Sequence, residues 1–204
     1  MKGDKAPGPD GFNACFFQKM WHVVGEDVIA AVRSFFESGS LLKEMNHISI
    51  TLVPKVPNPS TWKDFQPISC CNLVYKCISG ILARRLQCVL PELIDKAQVA
   101  FIPGRSISDN ILVAQEFLCD YHRENTTPRS TIKVDILKVF DIVRWDFLLN
   151  LLITMGFPSR FIAWIMECIT TPQFSVNING ELAGFFGSSR SIDKVILYPL
   201  TCLS

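Results

Sequence analysis

The stretch TIKVDILKVFDIVRWDF, residues 131–147, combines a strand pattern and a helix pattern around an aspartate. Its first half favours a short, part-buried strand because it is rich in β-branched residues (Thr131, Ile132 and Val134). Asp135 follows that strand, and a carboxylate at a strand end can reach a cleft and bind Mg²⁺. Asp141 follows six residues later. The alternative is that the two aspartates cap the next helix, and spacing alone favours this cap.

The composition indicates a globular chain. Of its 204 residues, 49% are hydrophobic and 19% are charged, which is enough apolar surface for a full core. The net charge of +1 provides no overall basic field for nucleic acid, although it does not exclude a local basic groove. The composition therefore does not identify a ligand.

Neither the N-terminus nor the cysteines favour secretion. The polar start MKGDKAPGPDG does not resemble a signal peptide, and no apolar run reaches the roughly 18 residues of a membrane span. The eight cysteines include no CxxC pair, so we expect buried free thiols rather than a zinc site. We expect an intracellular protein, cytoplasmic or nuclear, with no membrane partner.

Periodicity predicts an α+β fold with an antiparallel or mixed sheet. The predicted helices cover residues 12–38 with a break at Gly25, then 72–90, 108–122, 146–155 and 159–169. The predicted strands cover residues 48–53, 174–178 and 182–186, and the last two are joined by the hairpin turn Asn179-Gly180. Residues 56–67 are predicted to be irregular because they are rich in proline.

Six stretches together resemble the reverse transcriptase domain of non-LTR (LINE-type) retrotransposons, especially the plant form. They occur in the family's order and spacing between residue 5 and about residue 190. They read KAPGPDGF (5–12), ISITLVPKVPNP (48–59), DFQPISCCNLVYKCISGILARRL (64–86), QVAFIPGRSISDNILVAQE (98–116), IKVDILKVFDIVRWDFL (132–148) and FSVNINGELAGFF (174–186).

The resemblance implies the fingers and a partial palm of a right-hand polymerase, with an incomplete antiparallel palm sheet and no thumb. Residues 1–130 would form an N-terminal extension and the fingers. Residues 131–190 would form the partial palm with the first catalytic aspartate and a β-hairpin, and residues 191–204 a divergent tail. The family copies an RNA template into DNA from a DNA primer and dNTPs, using two Mg²⁺ ions.

The resemblance also implies roles for individual residues. Asp135 falls on the family's first catalytic aspartate, and the carbonyl of Ile136 would complete that side of the metal site. Phe140 matches the residue that selects dNTP over rNTP, although a core phenylalanine is the alternative. Lys55 and Lys63 would meet triphosphate or template phosphates, unless they are solvated loop lysines.

Gln98 and Arg105 match a family motif that borders the template path. A hydrogen bond that stabilises their loop is the competing interpretation.

Three departures from the family pattern predict that this polypeptide alone has no polymerase activity. Gln66 stands where the family has an arginine, and glutamine lacks the charge and the guanidinium fork. After Arg190 the chain reads SIDKVILYPLTCLS in place of a Gly-Asp-Pro type motif. No Asp-Asp pair occurs in the sequence, and one carboxylate cannot hold two Mg²⁺ ions.

Two alternatives to a reverse transcriptase fragment stay open. The chain could be a non-catalytic nucleic-acid-binding module that uses the fingers surface. It could also be a pseudogene product that never folds stably, because half a palm leaves sheet edge and apolar surface exposed. The oligomeric state is unknown from sequence.

Overall fold

The structure is a computed structural model that describes residues 6–99, 102, 104–119, 130, 132, 134 and 143–187. Within these ranges, helices and a small sheet interleave, which confirms the predicted α+β class. The helices are α1 (Ala14–Lys19), α2 (Trp21–Ser38), α3 (Leu73–Leu93), α4 (Ile107–Leu118), α5 (Trp145–Thr154) and α6 (Ser159–Thr170). The strands are β1 (His47–Pro54), β2 (Phe65–Cys71), β3 (Gln173–Ile178) and β4 (Glu181–Gly187).

The strand order in the sheet is β2-β1-β3-β4. The β1–β2 and β3–β4 pairs are antiparallel, whereas β1 and β3 are parallel. The described sheet is therefore mixed, which is one of the two arrangements that the sequence pattern predicted. The parallel pair forms because the connection from β1 to β3 is long and carries helices, as a parallel crossover requires. This pairing also joins a strand of the predicted fingers to one of the predicted partial palm.

The hydrophobic core lies between one face of this sheet and helices α2, α3 and α6. Phe35, Tyr75 and Ile78 are almost fully buried there and pack with residues from the strands and α6 (Ile48, Cys71, Cys168 and Phe174). Phe36 and Trp164 extend the core through an edge-to-face ring contact with centroids 5.0 Å apart. The helices thus cover one face of the sheet, and the candidate functional site lies on the other face.

The predicted break at Gly25 is wrong. The chain bends at Met20, between α1 and α2, and Gly25 lies buried inside α2. A Cβ on Gly25 would come within 2.9 Å of the Trp21 indole, so the missing side chain provides room for that ring. The predicted stop at Gly39 is confirmed, because this residue adopts a left-handed φ of 75° after the last helical turn.

The irregular loop predicted over residues 56–67 is partly wrong. A 3₁₀ turn forms at Trp62–Asp64, and β2 begins at Phe65. Pro67 is tolerated inside β2 because β2 is an edge strand, where a missing N–H costs little. Pro91 lies inside α3, which ends two residues later at Leu93.

The start of α4 lies one residue earlier than predicted. The hydroxyl of Ser106 caps this helix by accepting a hydrogen bond from the amide of Ser108. α4 ends at Leu118, and His122, the predicted end, lies outside the described residues.

The Asn179-Gly180 hairpin prediction is confirmed. Both residues have positive φ, 54° and 91°, as a two-residue turn of type I′ requires. The side-chain oxygen of Asn177 accepts a hydrogen bond from the Gly180 amide at 3.0 Å and fixes the turn.

The predicted strand at 131–134 is not found at its two described residues. Ile132 and Val134 are 83% and 76% exposed and belong to no strand. Neither residue belongs to the described sheet, whose edge strands are β2 and β4.

Buried free thiols are confirmed only in part. Cys168 is a buried free thiol and Cys71 is buried as well, whereas Cys88 and Cys119 are free and exposed.

Candidate functional site

Small polar side chains lie along the two central strands, β1 and β3, on one face of the sheet. Successive residues of a strand point to opposite faces, so Ile48 packs in the core while Ser49 and Thr51 lie on the other face. The strand register brings polar partners level with them. Ser49 pairs with Cys70 and Ser175, and Asn177 pairs with Thr51. We call this surface the polar face.

A cleft of about 320 Å³ opens on the polar face. Residues 6–9, from the N-terminal KAPGPDG segment, form one wall, and the β3–β4 turn forms another. The strand residues form its floor (Ser49, Thr51, Cys70 and Asn177), with Gly180 and Leu182 beside them. Hydroxyl and amide groups therefore dominate the floor of the cleft.

Asn72 ties the N-terminal wall of the cleft to the rest of the protein. Its side-chain oxygen accepts a hydrogen bond from the amide of Asp10 at 3.2 Å, and its NH₂ group donates to the carbonyl of Glu44 at 3.0 Å. Gly8 lies so close to Asn72 that a Cβ on Gly8 would be 2.5 Å from the backbone nitrogen of Asn72. The glycine in KAPGPDG is therefore required by a close backbone contact.

The β1–β2 hairpin carries the cationic end of the polar face. The Lys55 amide donates to the Asp64 carbonyl at 2.7 Å, and the Lys55 ammonium donates to the Lys63 carbonyl at 3.3 Å. The two predicted phosphate-binding lysines are thus brought together at the hairpin tip. Gln66 pairs with Val53, which alternates with Thr51 and so lies on the polar face. This is the position at which the resemblance described above predicts an arginine.

The polar face carries little other positive charge. His47 lies at its far end, where its Nε2 and the Ser175 hydroxyl are 2.9 Å apart. Burial lowers the pKa of His47, which favours the neutral ring near pH 7. Hydrogen bonds from the backbone of Thr61 and Ser60 lower the pKa of Asp64 at the tip, so this residue is a carboxylate there.

Arg105 binds the chain that leads out of α3. Its guanidinium donates to the carbonyl oxygens of Asp95 at 2.5 Å, Gln98 at 2.6 Å, Ile94 at 3.0 Å and Pro91 at 3.1 Å. The guanidinium therefore makes four hydrogen bonds to carbonyl oxygens between the last turn of α3 and Gln98. This arrangement favours the loop-stabilising interpretation of Gln98 and Arg105, and their template role stays a prediction.

The remaining predicted site residues, Asp135, Ile136 and Phe140, lie outside the described residues. Within the described ranges, no group of three His, Cys, Asp or Glu side chains could hold a metal ion. The structure therefore brings Lys55 and Lys63 together but describes no site around Asp135.

Three features of this region were not predicted from the sequence. The alternation of Ile48, Ser49, Ile50 and Thr51 would have indicated a strand with one apolar and one polar face. Trp62, in the polar segment STWKD, is 75% exposed, which hydrophobicity alone would not predict. The role of Asn72 depends on segments 28 and 62 residues away, so no local pattern reveals it.

Sequence comparison identifies the class to which this fold and surface belong. The family described as reverse transcriptase (RNA-dependent DNA polymerase) matches residues 53–191, which is more than half of the chain. The chain therefore belongs to the reverse transcriptase family. Members of this family use divalent metal ions and bind a nucleic-acid template and primer.

Two relatives are proteins of transposable elements. The chain is 27% identical over 192 residues to the transposon TX1 uncharacterized 149 kDa protein of Xenopus laevis. It is 22% identical over 189 residues to the retrovirus-related Pol polyprotein from the type-2 retrotransposable element R2DM of Drosophila melanogaster. These alignments cover 94% and 93% of the chain. The predicted relationship to non-LTR retrotransposons is confirmed, and the plant form stays a prediction.

The chain spans only 15% and 17% of the length of these two relatives. It thus corresponds to one part of each. Among the described helices, none is both long enough and apolar enough to cross a membrane.

Proposed function

We propose that this chain contributes the fingers and part of the palm of an RNA-directed DNA polymerase. One observation carries the proposal. Gln66 lies on the polar face, which also carries an open cleft, and Lys55 follows β1 at the hairpin tip, while the helices cover the opposite face. A nucleic-acid strand or a nucleotide needs a surface that the helices leave uncovered, with cations beside it. RNA template, DNA primer and dNTP are the proposed partners.

In this proposal Lys55 and Lys63 neutralise phosphates that approach the hairpin tip. Their ammonium groups act as point charges, whereas an arginine at position 66 would have held two phosphate oxygens at once. Phe140 would exclude the 2′-hydroxyl of a ribonucleotide. Gln98 and Arg105 would border the template path, with Arg105 acting through the loop that it binds.

The proposed metal is Mg²⁺, with Asp135 and the Ile136 carbonyl as its ligands from this chain. When bound, two Mg²⁺ ions activate the primer hydroxyl and stabilise the leaving pyrophosphate. The sequence has no Asp-Asp pair, and the described residues offer no cluster of three metal-binding side chains. These residues do not complete a two-metal site, so we derive no catalytic step and expect no primer extension by the 204-residue polypeptide alone.

Primer extension and gel shift together test the proposal. We expect the purified chain to shift a DNA-primed RNA template at low salt but to leave the primer unextended with Mg²⁺ and dNTPs. Template-dependent extension that is lost in Asp135→Ala would overturn the predicted inactivity. A chain with no affinity for the primed template would overturn the proposed role.

Paired substitutions localise the binding surface. Lys55→Gln combined with Lys63→Gln should weaken the shift and reduce its salt dependence, because fewer counterions are released. Lys43→Gln is the matched control. Lys43 precedes β1 and the hairpin tip follows β1, so the two positions are separated by the length of this 8-residue strand, about 26 Å. Equal weakening by Lys43→Gln would contradict the assignment of the tip.

A non-catalytic nucleic-acid-binding module is the second candidate function. The closely placed lysines at the hairpin tip favour it, whereas the net charge of +1 argues against tight binding. Competition between a structured RNA hairpin and the primed template separates the two functions. A polymerase part should prefer the primed template, and a general module should bind both equally.

A further inference from the structure

The tip of the β1–β2 hairpin presents an exposed tryptophan beside two cations. Trp62 is 75% exposed, although tryptophan carries one of the largest apolar surfaces of any side chain. The Lys63 ammonium lies 5.6 Å from the centroid of the Trp62 ring. The same ammonium can cover only one face of the indole, so the exposed area includes the other. We propose that Trp62 is a stacking platform for an unpaired base of single-stranded nucleic acid.

The tip is held in a defined conformation by Asp64. One oxygen of its carboxylate accepts hydrogen bonds from the amides of Ser60 at 3.0 Å and Thr61 at 2.8 Å, and from the Thr61 hydroxyl at 3.1 Å. The Thr61 hydroxyl oxygen in turn accepts a hydrogen bond from the backbone amide of Asp64, which completes a capping box. The segment that carries Trp62 is therefore ordered before any ligand arrives. The entropic cost of ordering this segment when a base stacks on it is therefore small.

The charges around Trp62 fit a strand whose phosphates flank a stacked base. Residues 55–64 carry two lysines and one aspartate, a net charge of +1. The Asp64 carboxylate is directed into its own turn, whereas the lysines are exposed. Base stacking on an aromatic ring is tolerant of sequence, and adjacent lysines add a salt-dependent contact to phosphate. Duplex nucleic acid keeps its bases stacked inside and offers no free face.

This inference rests on the proposed function, because it assigns the unpaired part of a template to one residue of the hairpin tip. It also separates two contributions to binding. Trp62 should supply a term that is insensitive to salt, whereas Lys55 and Lys63 should supply the salt-dependent term.

Fluorescence anisotropy with the full chain tests it. The probes are a short fluorescein-labelled single-stranded RNA and the same strand in a duplex. We expect Trp62→Ala to weaken binding of the single strand by roughly tenfold without changing the salt slope. Trp62→Phe should restore most of the affinity, because a ring remains. Duplex binding should not change in either variant.

Phe117→Ala is the matched control, because Phe117 is 72% exposed and lies on α4, away from the hairpin sequence. Unchanged single-strand affinity in Trp62→Ala, with wild-type binding intact, would overturn the stacking role but leave the proposed function standing. Equal losses in Trp62→Ala and Phe117→Ala would also overturn it. A wild-type chain that binds neither probe would overturn both. A circular dichroism spectrum of each variant confirms that losses do not reflect unfolding.

Discussion

The Tyr75 hydroxyl donates a hydrogen bond of 2.8 Å to the carbonyl oxygen of Cys168 in the buried core. This bond joins α3 to α6, two helices that are far apart in sequence and lie on the same face of the sheet. Both residues are almost fully buried, so neither group can exchange its partner for water. The bond thus helps to fix the packing of α3 against α6.

Tyr75→Phe should lower the free energy of unfolding by about 1–3 kcal/mol, because it leaves the Cys168 carbonyl without this partner in the core. Urea denaturation followed by circular dichroism measures the change. Thr154→Val is the control, since it removes an exposed hydroxyl bond to the Asn150 carbonyl and should cost little. A wild-type chain without a cooperative transition would instead support the unstable pseudogene product.

Gly8→Ala should displace the N-terminal wall of the cleft. The new Cβ would lie 2.5 Å from the backbone nitrogen of Asn72, and backbone cannot move aside as a flexible side chain can. The Cys70 thiol on the cleft floor should then react several-fold faster with a maleimide, as measured by mass spectrometry of its peptide.

The control for Gly8→Ala is Gly11→Ala. Gly11 has a φ of 78° and open space around it, so alanine there adds backbone strain of about 1–2 kcal/mol without a clash. Cys70 should keep its wild-type reactivity in this variant. The same acceleration in both variants would show that the close contact at Gly8 does not hold the wall.

Gln66→Arg should raise the affinity of the polar face for polyphosphate. Position 66 is exposed and lies on the same face as the cleft, so the guanidinium can reach a ligand without disturbing the core. Titration with a fluorescent nucleoside triphosphate should show a several-fold gain, larger than that of Gln66→Lys, because only arginine offers the fork.

Gln173→Arg makes the same charge change at the opposite end of the polar face, since Gln173 pairs with His47. We expect a smaller gain there. If both arginine variants bind triphosphate equally, the gain in affinity comes from net charge and does not depend on position 66.

Cys168 should resist alkylation in the native chain, whereas Cys88 should react. Burial, with a smaller contribution from the Glu167 charge, raises the pKa of Cys168 to about 12. At pH 8 only about one Cys168 thiol in ten thousand is then a thiolate, the form that reacts with iodoacetamide. Cys88 is exposed.

Pulse alkylation followed by peptide mass spectrometry compares the two cysteines, and the same pulse in denaturant should remove the difference. Rapid labelling of Cys168 without denaturant would mean that the α3–α6 core opens readily.

Local sequence signals predicted much of the secondary structure. The periodic segments of α3, α5 and α6 were located to within a few residues, because an apolar stripe and a stop signal both lie within the segment. Asn179-Gly180 identified the β3–β4 hairpin because only such residues readily adopt positive φ at both turn positions. The aligned motifs identified the family, because their order along the chain is itself specific.

The tertiary structure decided what local patterns could not. β2 forms within a proline-rich segment because β1 pairs with it from one side, leaving the Pro67 nitrogen without a required partner. The parallel pairing of β1 with β3 depends on residues more than a hundred positions apart. No local propensity encodes such a pairing.

For the candidate site, the sequence alone determined which residue types are present and which family they belong to. It indicated Lys55 and Lys63 as cations and Gln66 as a departure. Only the folded chain placed Gln66 on the polar face, brought the Lys63 carbonyl to the Lys55 ammonium and left Trp62 exposed beside Lys63. Side-chain chemistry is a property of each residue, whereas a shared face depends on the register between strands and the packing behind them.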